Sequence, residues 1–593
     1  MDHALREAHP RPRLVRPDWQ DLCGPWGFAH DDGDVGVRDG WWREQAPFQN
    51  TITVPFPPES AASGVAAPGR HPVVWYRREF DLVPPGPDRR VLLHFGAVDY
   101  RADVWVNGQH LTSHEGGHTP FSVDVTDALA DSGTQVVTVR AEDGSADLEQ
   151  PRGKQDWRSE PHVIWYHRTT GIWQPVWLEA VPRTHVRHLR LTPLLGEGVL
   201  DVEIGLAGVG PGPVRVSVRV GEPDDPLAED TYLVRGDTVR RRLPLDQLPY
   251  DVEPERYLWS PETPNLHDVR VTVEPADQGV TDEALSYVGL RAVGVDNTHF
   301  LLNGRPYYLR MVLAQGYWPD THLAAPSGDA LRREVELARS LGFNGMRLHQ
   351  KVEDPRLLYW CDRIGMCVWG EMPAAYRFSS RSVARTVREW LAAVERDASH
   401  ACVVAWVPFN ESWGVPAAEQ REDQRDAVRA VHHLLRAVDP SRPTLGNDGW
   451  EYVTGNILGV HDYCNDPGLL TERYRDRDAV ARTVREVRPG GRRLTVDGGV
   501  PAAPVVLTEF GGILCTADPD TAWNGYGAAG DAEALVHRYR ELMAAVQASS
   551  ALAGFCYTQL TDTLQERNGL LTEHREPKAD PAVLAAITRD AAR

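Results

Sequence analysis

The sequence is poor in cysteine, with seven among 593 residues. Seven is an odd number, no Cys-x-x-Cys pair occurs, and six of the seven lie in the second half of the chain. This distribution argues against a disulfide framework or a cysteine-based zinc site and indicates reduced, mostly buried thiols. Because His-x-His and His-Glu-x-x-His are also absent, we expect neither a metal nor a cofactor.

The sequence lacks long hydrophobic runs. No stretch approaches the roughly 18 consecutive apolar residues that indicate a membrane-spanning helix. The first seven residues, MDHALRE, contain no apolar segment of the kind found in secretory signals. We therefore expect no membrane partner and a cytoplasmic location.

Positive charge is in the minority, with 63 Lys and Arg against 84 Asp and Glu, a formal net charge of −21. Polyanions would repel such a chain, so we expect no nucleic-acid partner. Tryptophan, by contrast, is abundant, with 19 residues. Indole rings stack on the CH faces of sugars, which fits carbohydrate binding, but large β-rich cores also use tryptophan.

The pattern along the chain predicts three domains. Residues 1–182 contain short strand-like runs between prolines and glycines, including a hairpin turn at Asn107-Gly108, and indicate a β-sandwich. Residues 183–291 continue with alternating short strands and indicate an immunoglobulin-like β-sandwich. In residues 292–593, strands alternate with amphipathic helices, as in a (β/α)₈ barrel. We predict the eight barrel strands at residues 306–312, 343–348, 366–370, 402–407, 444–446, 457–460, 505–508 and 554–558.

Two of these predicted barrel strands end in a glutamate. Glu411 follows the apolar run 403–407, and Glu509 follows the apolar run 505–507. The carboxyl ends of barrel strands line one mouth, where such enzymes carry their chemistry. A single glutamate there could equally cap the following helix, but two carboxylates facing one mouth are what cleavage of a glycosidic bond requires.

The segments Asn410-Glu411 and 508–512, the latter Thr-Glu-Phe-Gly-Gly, resemble glycoside hydrolase family 2. The family includes β-galactosidases, β-glucuronidases and β-mannosidases. Further similarity in 97–100, 116–121 and 168–173 to the family's jelly-roll sugar-binding domain extends the resemblance to nearly the whole chain. The resemblance implies a jelly-roll sandwich, an immunoglobulin-like sandwich and a catalytic TIM barrel.

The resemblance also assigns roles that spacing alone does not separate. It implies that Glu411 is the acid/base and Glu509 the nucleophile of a retaining mechanism. Asn410 would bind the sugar hydroxyl next to the anomeric carbon, and Tyr463 would hydrogen-bond the nucleophile. Arg347 would pair with a catalytic carboxylate.

Other residues are expected to contact the substrate, although ordinary barrel packing or a solvated surface loop would explain most of them as well. They are His349 after strand two, Glu371 at the end of strand three, Trp413 beside the leaving-group site, Tyr557 on strand eight, and Arg152 and Lys154 in a loop of the first domain. The family's usual His-Tyr-Pro after strand two is replaced here by His349-Gln350-Lys351.

The identity of the sugar follows less directly. Family β-glucuronidases carry an Asn-x-Lys that holds the uronate, but no lysine stands two places after Asn568, which disfavours a glucuronide unless Arg567 or Lys154 substitutes. Several family β-galactosidases place an aspartate just before the glycine that corresponds to Gly171, and residues 163–167 contain no acid. These departures suggest an uncommon glycone, such as a furanoside.

Together these observations predict a retaining exo-glycosidase that removes terminal β-linked, galactose-configured sugars, as pyranosides or furanosides. The alternatives within the family are a β-mannosidase, a β-glucuronidase and an arabinofuranosidase. An alternative of another class is a non-catalytic carbohydrate-binding protein with a silent barrel. The partner is a small glycoside or oligosaccharide, and self-association into a homo-oligomer is compatible with the sequence.

Overall fold

The computed structural model describes residues 3–131, 133–245, 254–275, 279–516, 522–523 and 525–590. The first domain contains two short helices, α1 (His3–Ala8) and α2 (Gly36–Asp39). Its strands are β1 (Trp19–Asp21), β2 (Gly24–His30), β3 (Asn50–Val54), β4 (Val73–Asp81), β5 (Arg89–Phe95), β6 (Val98–Asp99), β7 (Arg101–Val106), β8 (Gln109–Glu115), β9 (Phe121–Asp124), β10 (Thr134–Glu142), β11 (Gly171–Ile172) and β12 (Val176–Pro182).

These strands form a β-sandwich. A six-stranded sheet in the order β3-β2-β4-β10-β7-β8 shares an apolar core with a four-stranded sheet in the order β1-β12-β5-β9. Phe28 and Val139 from the first sheet and Leu93 and Leu178 from the second are buried in that core. A long connection between β10 and β11 lies outside both sheets and reaches the third domain.

The second domain is a smaller sandwich of sheets β13-β14-β17 and β16-β15-β18-β19. Strict alternation along β15 explains its position, because Val214, Val216, Val218 and Val220 are buried while the residues between them are not. The strands are β13 (His185–Leu194), β14 (Val199–Ala207), β15 (Val214–Gly221), β16 (Pro226–Val234), β17 (Thr238–Pro244), β18 (His267–Pro275) and β19 (Asp282–Val288).

The third domain begins with a small antiparallel sheet and continues as a parallel barrel. The small sheet contains β20 (Val293–Val295), β21 (Phe300–Leu302) and β22 (Arg305–Pro306). The barrel strands are β23 (Leu309–Ala314), β24 (Gly345–Leu348), β25 (Cys367–Glu371), β26 (Val403–Val407), β27 (Leu458–His461), β28 (Val505–Gly511) and β29 (Leu552–Thr558). They are hydrogen-bonded in the order β26-β25-β24-β23-β29-β28-β27. Every residue of β26, β28 and β29 is buried, as expected for strands covered on both faces.

The helices of this domain separate the barrel strands or follow the last one. They are α3 (Gly328–Ser340), α4 (Pro355–Ile364), α5 (Ser380–Asp397), α6 (Glu422–Val438), α7 (Pro467–Tyr474), α8 (Arg477–Glu486), α9 (Ala532–Gln547) and α10 (Pro581–Arg589). Serine or aspartate side chains cap seven of these eight helix N-termini: Ser327, Asp354, Ser379, Asp466, Asp476, Asp531 and Asp580. In the part of the chain covered by the structure, none of the helices combines the length and apolarity needed to cross a bilayer.

The predicted fifth strand, residues 444–446, does not form a ladder. Thr444 pairs with Trp406 of β26 through a single bridge, and Leu445 donates its N–H to the Trp406 carbonyl at 2.9 Å. Pro443 has no N–H to donate, and the Thr444 N–H is taken by the Asn456 side chain at 3.0 Å. The segment therefore spans the gap between β26 and β27 as an irregular connection, which carries Asp448 to the barrel mouth.

Candidate active site

Two glutamates face each other at the carboxyl ends of barrel strands. Glu411 lies just beyond β26 with a φ of 51°, and Glu509 lies within β28. The unusual backbone at Glu411 is held because its N–H donates to the Asp448 carbonyl at 2.9 Å. One carboxylate oxygen of Glu411 and one of Glu509 lie within 4.8 Å of each other. The two side chains thus share one site.

Arg347, at the centre of the barrel mouth, is fully buried and contacts four side chains. Its Nη1 donates to Glu509 Oε1 at 2.5 Å, and its Nη2 donates to Asn410 Oδ1 at 2.6 Å. The same Nη2 lies 2.8 Å from Glu371 Oε2 and 3.0 Å from Asp448 Oδ2. A guanidinium with this many carboxylate partners keeps negative charge at the bottom of the pocket and orients Glu509.

His461 lies between the two facing glutamates. Its Nδ1 is 2.8 Å from Glu411 Oε1, and its Nε2 is 3.5 Å from Glu509 Oε1 and 3.5 Å from Asp448 Oδ2. Burial opposes the charged imidazolium, but the surrounding carboxylates, Glu509 foremost, raise the pKa of His461 to about 10. Both ring nitrogens therefore carry protons at neutral pH: Nδ1 donates to Glu411, and Nε2 faces Glu509 and Asp448 without a hydrogen bond to either.

Glu509 is ionised at neutral pH for a related reason. Burial alone would raise its pKa, but the positive charges of His461 and Arg347 and the hydrogen bond from the Tyr463 hydroxyl bring that pKa down to about 2. The Tyr463 ring is stacked on Tyr526 with a centroid separation of 3.6 Å. The stacking fixes the phenol that orients the Glu509 carboxylate.

Glu371 and His349 lie beneath this arrangement. Burial dominates over the Arg347 charge and raises the pKa of Glu371 to about 8, and burial also lowers the pKa of His349 well below its ordinary value. His349 Nδ1 is 3.1 Å from Glu371 Oε1 and 3.9 Å from Glu509 Oε1. At neutral pH this layer therefore contains a neutral imidazole and a largely protonated carboxyl group.

The site opens into a pocket of about 550 Å³. Its walls include Glu411 and Tyr463 from the barrel and Val163 and Ile164 from the first domain. Further aromatic and basic side chains complete the lining: Trp413, Trp450, Trp523, Tyr526, Arg473 and Arg488. The volume and the aromatic walls suit one or a few sugar rings.

Glu411, His461 and Glu509 are also residue types that bind divalent cations, and one atom from each lies within 4.8 Å of the others. The raised pKa of His461 acts against a metal, because both ring nitrogens carry protons and neither offers a free lone pair. The prediction that the protein uses no metal stays a prediction.

The chain matches models of one known protein family in all three domains. The Glycosyl hydrolases family 2 sugar binding domain matches residues 19–182, Glycosyl hydrolases family 2 matches 184–291, and the family's TIM barrel domain matches 293–466. A β-glucuronidase of Canis lupus familiaris is 30% identical over 503 residues, which cover 77% of this chain and 73% of that relative. This chain belongs to glycoside hydrolase family 2.

Solved structures of family 2 enzymes share the fold. A β-glucuronidase from Ruminococcus gnavus in complex with D-glucuronic acid is 19% identical, with a TM-score of 0.76 over 99% of both chains. A β-galacturonidase from Eisenbergiella tayi is 20% identical, with a TM-score of 0.73 over 98% of both chains. The predicted fold class, two sandwiches followed by a TIM barrel, is confirmed, as is the prediction of a glycoside hydrolase.

The family 2 barrel receives a loop from the first domain. Arg152 and Gly153 donate their N–H groups to the Ala374 carbonyl at 3.0 and 3.1 Å, and Tyr376 donates to the Gly153 carbonyl at 2.6 Å. Gly153 has a φ of 60°, and a Cβ there would lie 2.2 Å from the Gln350 carbonyl oxygen. Only glycine permits this close approach of the first-domain loop, which includes Lys154, to the barrel.

The two basic residues of that loop, Arg152 and Lys154, make different contacts. The Arg152 guanidinium donates to the carbonyls of Ser145 and Gly144 at 2.8 and 3.2 Å and to Gln150 Oε1 at 3.1 Å. Arg152 therefore holds its own loop together, and its contact with the sugar stays a prediction. The Lys154 ammonium, by contrast, lies over the Tyr166 ring, 5.8 Å from its centroid.

Trp413 and Tyr557 also differ in placement. Trp413 lines the pocket beside Glu411 and contacts the Trp165 ring edge-to-face at 5.5 Å. The Tyr557 ring is fully buried between Phe510 of β28 and Tyr539 of α9, with centroids 5.6 and 4.9 Å away. Tyr557 therefore packs the barrel wall and does not line the pocket in which it was predicted to contact the substrate.

Three side chains of the site, Asp448, His461 and Tyr526, were not assigned from the sequence, nor was Glu566, which accepts a hydrogen bond from the Tyr166 hydroxyl of the first domain. His461 directly precedes Asp462-Tyr463, so its position after a barrel strand was a usable signal. Asp448 lies in the irregular connection that replaces strand five, and Tyr526 and Glu566 lie in loops. No local pattern marks those three residues.

Proposed function

We propose that this family 2 hydrolase is a retaining exo-β-glycosidase that acts by double displacement. The observation that carries the proposal is the distance of at most 4.8 Å between oxygens of Glu411 and Glu509. Retaining enzymes hold their two carboxyl groups about 5–5.5 Å apart, whereas inverting enzymes need about 6.5–9.5 Å to admit a water molecule. The short separation supports direct attack by a carboxylate.

The surroundings of the two glutamates support Glu509 as the nucleophile. A nucleophilic carboxylate must be ionised and fixed in direction, and Glu509 has a pKa of about 2 and hydrogen bonds from Arg347 and Tyr463. In the first step Glu509 forms a bond to the anomeric carbon as the bond to the leaving oxygen breaks. The result is a covalent glycosyl ester.

Glu411 suits the acid/base role. Its Oε1 is held by His461 at 2.8 Å, and within the described residues its Oε2 makes no hydrogen bond and is available for proton transfer. In the first step Glu411 protonates the leaving oxygen. In the second step it takes a proton from water, the water oxygen attacks the anomeric carbon, and the bond to Glu509 breaks.

Asn410 supports the chemistry from the side. Its Oδ1 accepts from Arg347 at 2.6 Å, which leaves the side-chain N–H groups as donors toward the pocket. A donor to the sugar hydroxyl beside the anomeric carbon strengthens as positive charge develops on the ring in the transition state.

Replacement of the nucleophile tests the proposal. Glu509→Gly removes the attacking carboxylate, and we expect turnover of an activated nitrophenyl β-glycoside to fall on the order of 10⁴-fold or more. Sodium azide should then restore cleavage by entering the vacated space, and the product should be a glycosyl azide of inverted configuration. Undiminished activity of the variant would contradict the assignment, and sugar binding without any hydrolysis by the wild type would support the carbohydrate-binding alternative.

The sugar remains a second question within the proposal. The relatives named above act on glucuronides or galacturonides, which favours a β-glucuronidase as the second candidate. The sequence prediction of a galactose-configured glycone, pyranose or furanose, is the first candidate. A set of nitrophenyl β-glycosides covering galactopyranoside, galactofuranoside, mannoside, arabinofuranoside, glucuronide and galacturonide separates them by kcat/KM.

A further inference from the structure

Lys154 has a largely buried side chain, and its ammonium forms no ion pair within the described part of the chain. The side chain belongs to the loop that docks on the barrel, and the residue is only 6% exposed. Within the residues that the structure describes, the ammonium makes no hydrogen bond and no ion pair, and its nearest assigned contact is the Tyr166 ring face at 5.8 Å. The nitrogen itself reaches solvent, so it is available to an acceptor on a ligand.

A buried carboxyl group, that of Glu566, lies at the hydroxyl of the same tyrosine. The Tyr166 hydroxyl donates to Glu566 Oε2, and Glu566 is 4% exposed. Within the described residues, no side chain donates to Glu566 Oε1. Glu566 and Lys154 do not form an ion pair, so each keeps hydrogen-bonding capacity unused.

Backbone contacts fix both groups at the edge of the pocket. Tyr166 donates its N–H to the Lys154 carbonyl at 2.8 Å. Gln565, next to Glu566, donates to the carbonyls of Val163 and Trp165 at 3.0 and 2.8 Å, and Val163 lines the pocket. Lys154 and Glu566 are therefore placed by segments about 400 residues apart and meet at the same wall.

The electrostatic effects of the two groups agree with this placement. Besides burial and the Glu509 charge, the Lys154 ammonium is a cause of the shift at His349 and acts to lower its pKa. Burial raises the pKa of Glu566, Lys154 opposes that rise, and the charges of Glu509 and Glu411 add to it. Both groups therefore interact electrostatically with residues of the candidate active site.

We propose that Lys154 and Glu566 together bind hydroxyl groups of an uncharged glycone, with the lysine donating to one sugar oxygen and the glutamate accepting from a neighbouring hydroxyl. This inference rests on the proposed glycosidase function and names its substrate class. At this wall a uronate would place a second carboxylate beside Glu566, with the Lys154 ammonium to offset it, and like charges that lie close together disfavour one another. Of the two arginines that line the pocket, Arg473 is already paired with Asp462 and Arg488 is exposed to solvent. A hydroxyl satisfies donor and acceptor without added charge.

The experiment compares neutral glycosides with uronides on the full-length enzyme. We expect kcat/KM for the best of the neutral nitrophenyl glycosides (galactopyranoside, galactofuranoside, glucoside, mannoside, arabinofuranoside) to exceed that for the glucuronide and the galacturonide by at least about 100-fold. Glu566→Gln should lower kcat/KM for the neutral substrate by about 10- to 150-fold, since a charged hydrogen bond is weakened. Lys154→Met should lower it similarly.

Two controls accompany these variants. Glu576→Gln makes the same chemical change at an exposed residue of the same segment and should leave kcat/KM unchanged. Tyr166→Phe removes only the hydroxyl that orients Glu566 and tests the same contact if Glu566→Gln folds poorly; the midpoint of thermal unfolding checks each variant.

Equal or faster hydrolysis of a uronide, or no hydrolysis of any neutral glycoside, would overturn the inference. Unchanged kcat/KM in Glu566→Gln, Lys154→Met and Tyr166→Phe would overturn it too. A uronide that is hydrolysed through Glu509, with azide rescue of Glu509→Gly, would leave the proposed mechanism intact. Failure of that rescue concerns the mechanism and not the choice of sugar.

Discussion

His461 Nδ1 lies 2.8 Å from Glu411 Oε1, so the acid/base candidate is held by an imidazolium that also faces the nucleophile candidate. Glu509 contributes most to the raised pKa of His461, and His461 contributes most to the lowered pKa of Glu509 once burial is set aside. The two glutamates are therefore electrostatically linked through one ring. This linkage has consequences for rate and for stability.

The first consequence concerns the acidic limb of the pH–rate profile. With His461 protonated, Glu509 has a pKa of about 2. His461→Asn removes the positive charge, so we expect the pKa that limits kcat/KM on the acidic side to rise toward the ordinary glutamate value of about 4.3. Profiles of kcat/KM from pH 3 to 8 measure it. His433→Asn, at an exposed position of α6, should show the wild-type profile; an unshifted limb in His461→Asn would contradict the linkage.

The second consequence concerns unfolding. A group with a raised folded-state pKa stabilises the fold fully below its unfolded pKa, about 6.5 for histidine, and loses this as pH rises through the folded value, here about 10. The thermal midpoint of the wild type should therefore exceed that of His461→Asn most near pH 6, and the difference should shrink toward pH 10. A difference in thermal midpoint that grows from pH 6 to pH 10 would contradict the raised pKa of His461.

Removal of the Tyr463 hydroxyl tests how Glu509 is oriented. Tyr463→Phe deletes the donor to Glu509 Oε2, while the ring can still stack on Tyr526. Hydrogen bonds to charged groups contribute about 1.5–3 kcal/mol, so we expect kcat to fall by about 10- to 150-fold with little change in the thermal midpoint. Steady-state kinetics and a thermal melt give both values. A large loss of stability with unchanged kcat would indicate a packing role instead.

The acid/base role of Glu411 predicts a different azide product from that of Glu509. In Glu411→Ala the nucleophile is intact, so substrates with good leaving groups still form the glycosyl ester, and hydrolysis of that ester becomes slow. Azide should attack the ester and yield a glycosyl azide of retained configuration. Identification of the anomer by NMR distinguishes the two glutamates, and an inverted product from Glu411→Ala would exchange their roles.

Gly153→Ala tests the docking of the first-domain loop. The added Cβ would lie 2.2 Å from the Gln350 carbonyl oxygen, at a φ of 60°. We expect a loss of about 2–4 kcal/mol of stability and a higher KM, because the loop must withdraw and carry Lys154 with it. Gly304→Ala, with a φ of 76° and no atom within 4 Å of the new Cβ, is the matched control for backbone strain alone. Equal destabilisation by the two variants would show that the contact with Gln350 does not matter.

Local patterns in the sequence were sufficient for the fold class and for the approximate position of most barrel strands. Strand β26 is a continuous apolar run, and β28 begins with one that precedes Thr508 and Glu509, which is a strong local signal. The segment around Thr444 was predicted to be a strand and is not one. It pairs with β26 through a single bridge, and the Thr444 N–H donates to the Asn456 side chain. Periodicity does not reveal where those bonds go.

The site was predictable where residues follow strands and unpredictable where domains meet. Arg347, Glu411 and Glu509 lie at strand ends, and the structure brings them together. The contact between Tyr166 and Glu566 joins residues 400 positions apart in two loops, and nothing local to either residue indicates the other. Tyr557 shows the opposite error, since a residue on a barrel strand can face outward to the helices as easily as inward.

The docked loop places residues of the first domain beside those of the barrel, so two parts of the chain contribute to one site. The two proposed catalytic glutamates are anchored in the barrel, whereas Lys154, Tyr166 and two of the pocket-wall residues come from the amino-terminal sandwich. If the proposed roles hold, a mutation in the sandwich alters substrate choice and leaves the two glutamates in place. The isolated barrel, for the same reason, would retain its acids and lose part of its ability to discriminate.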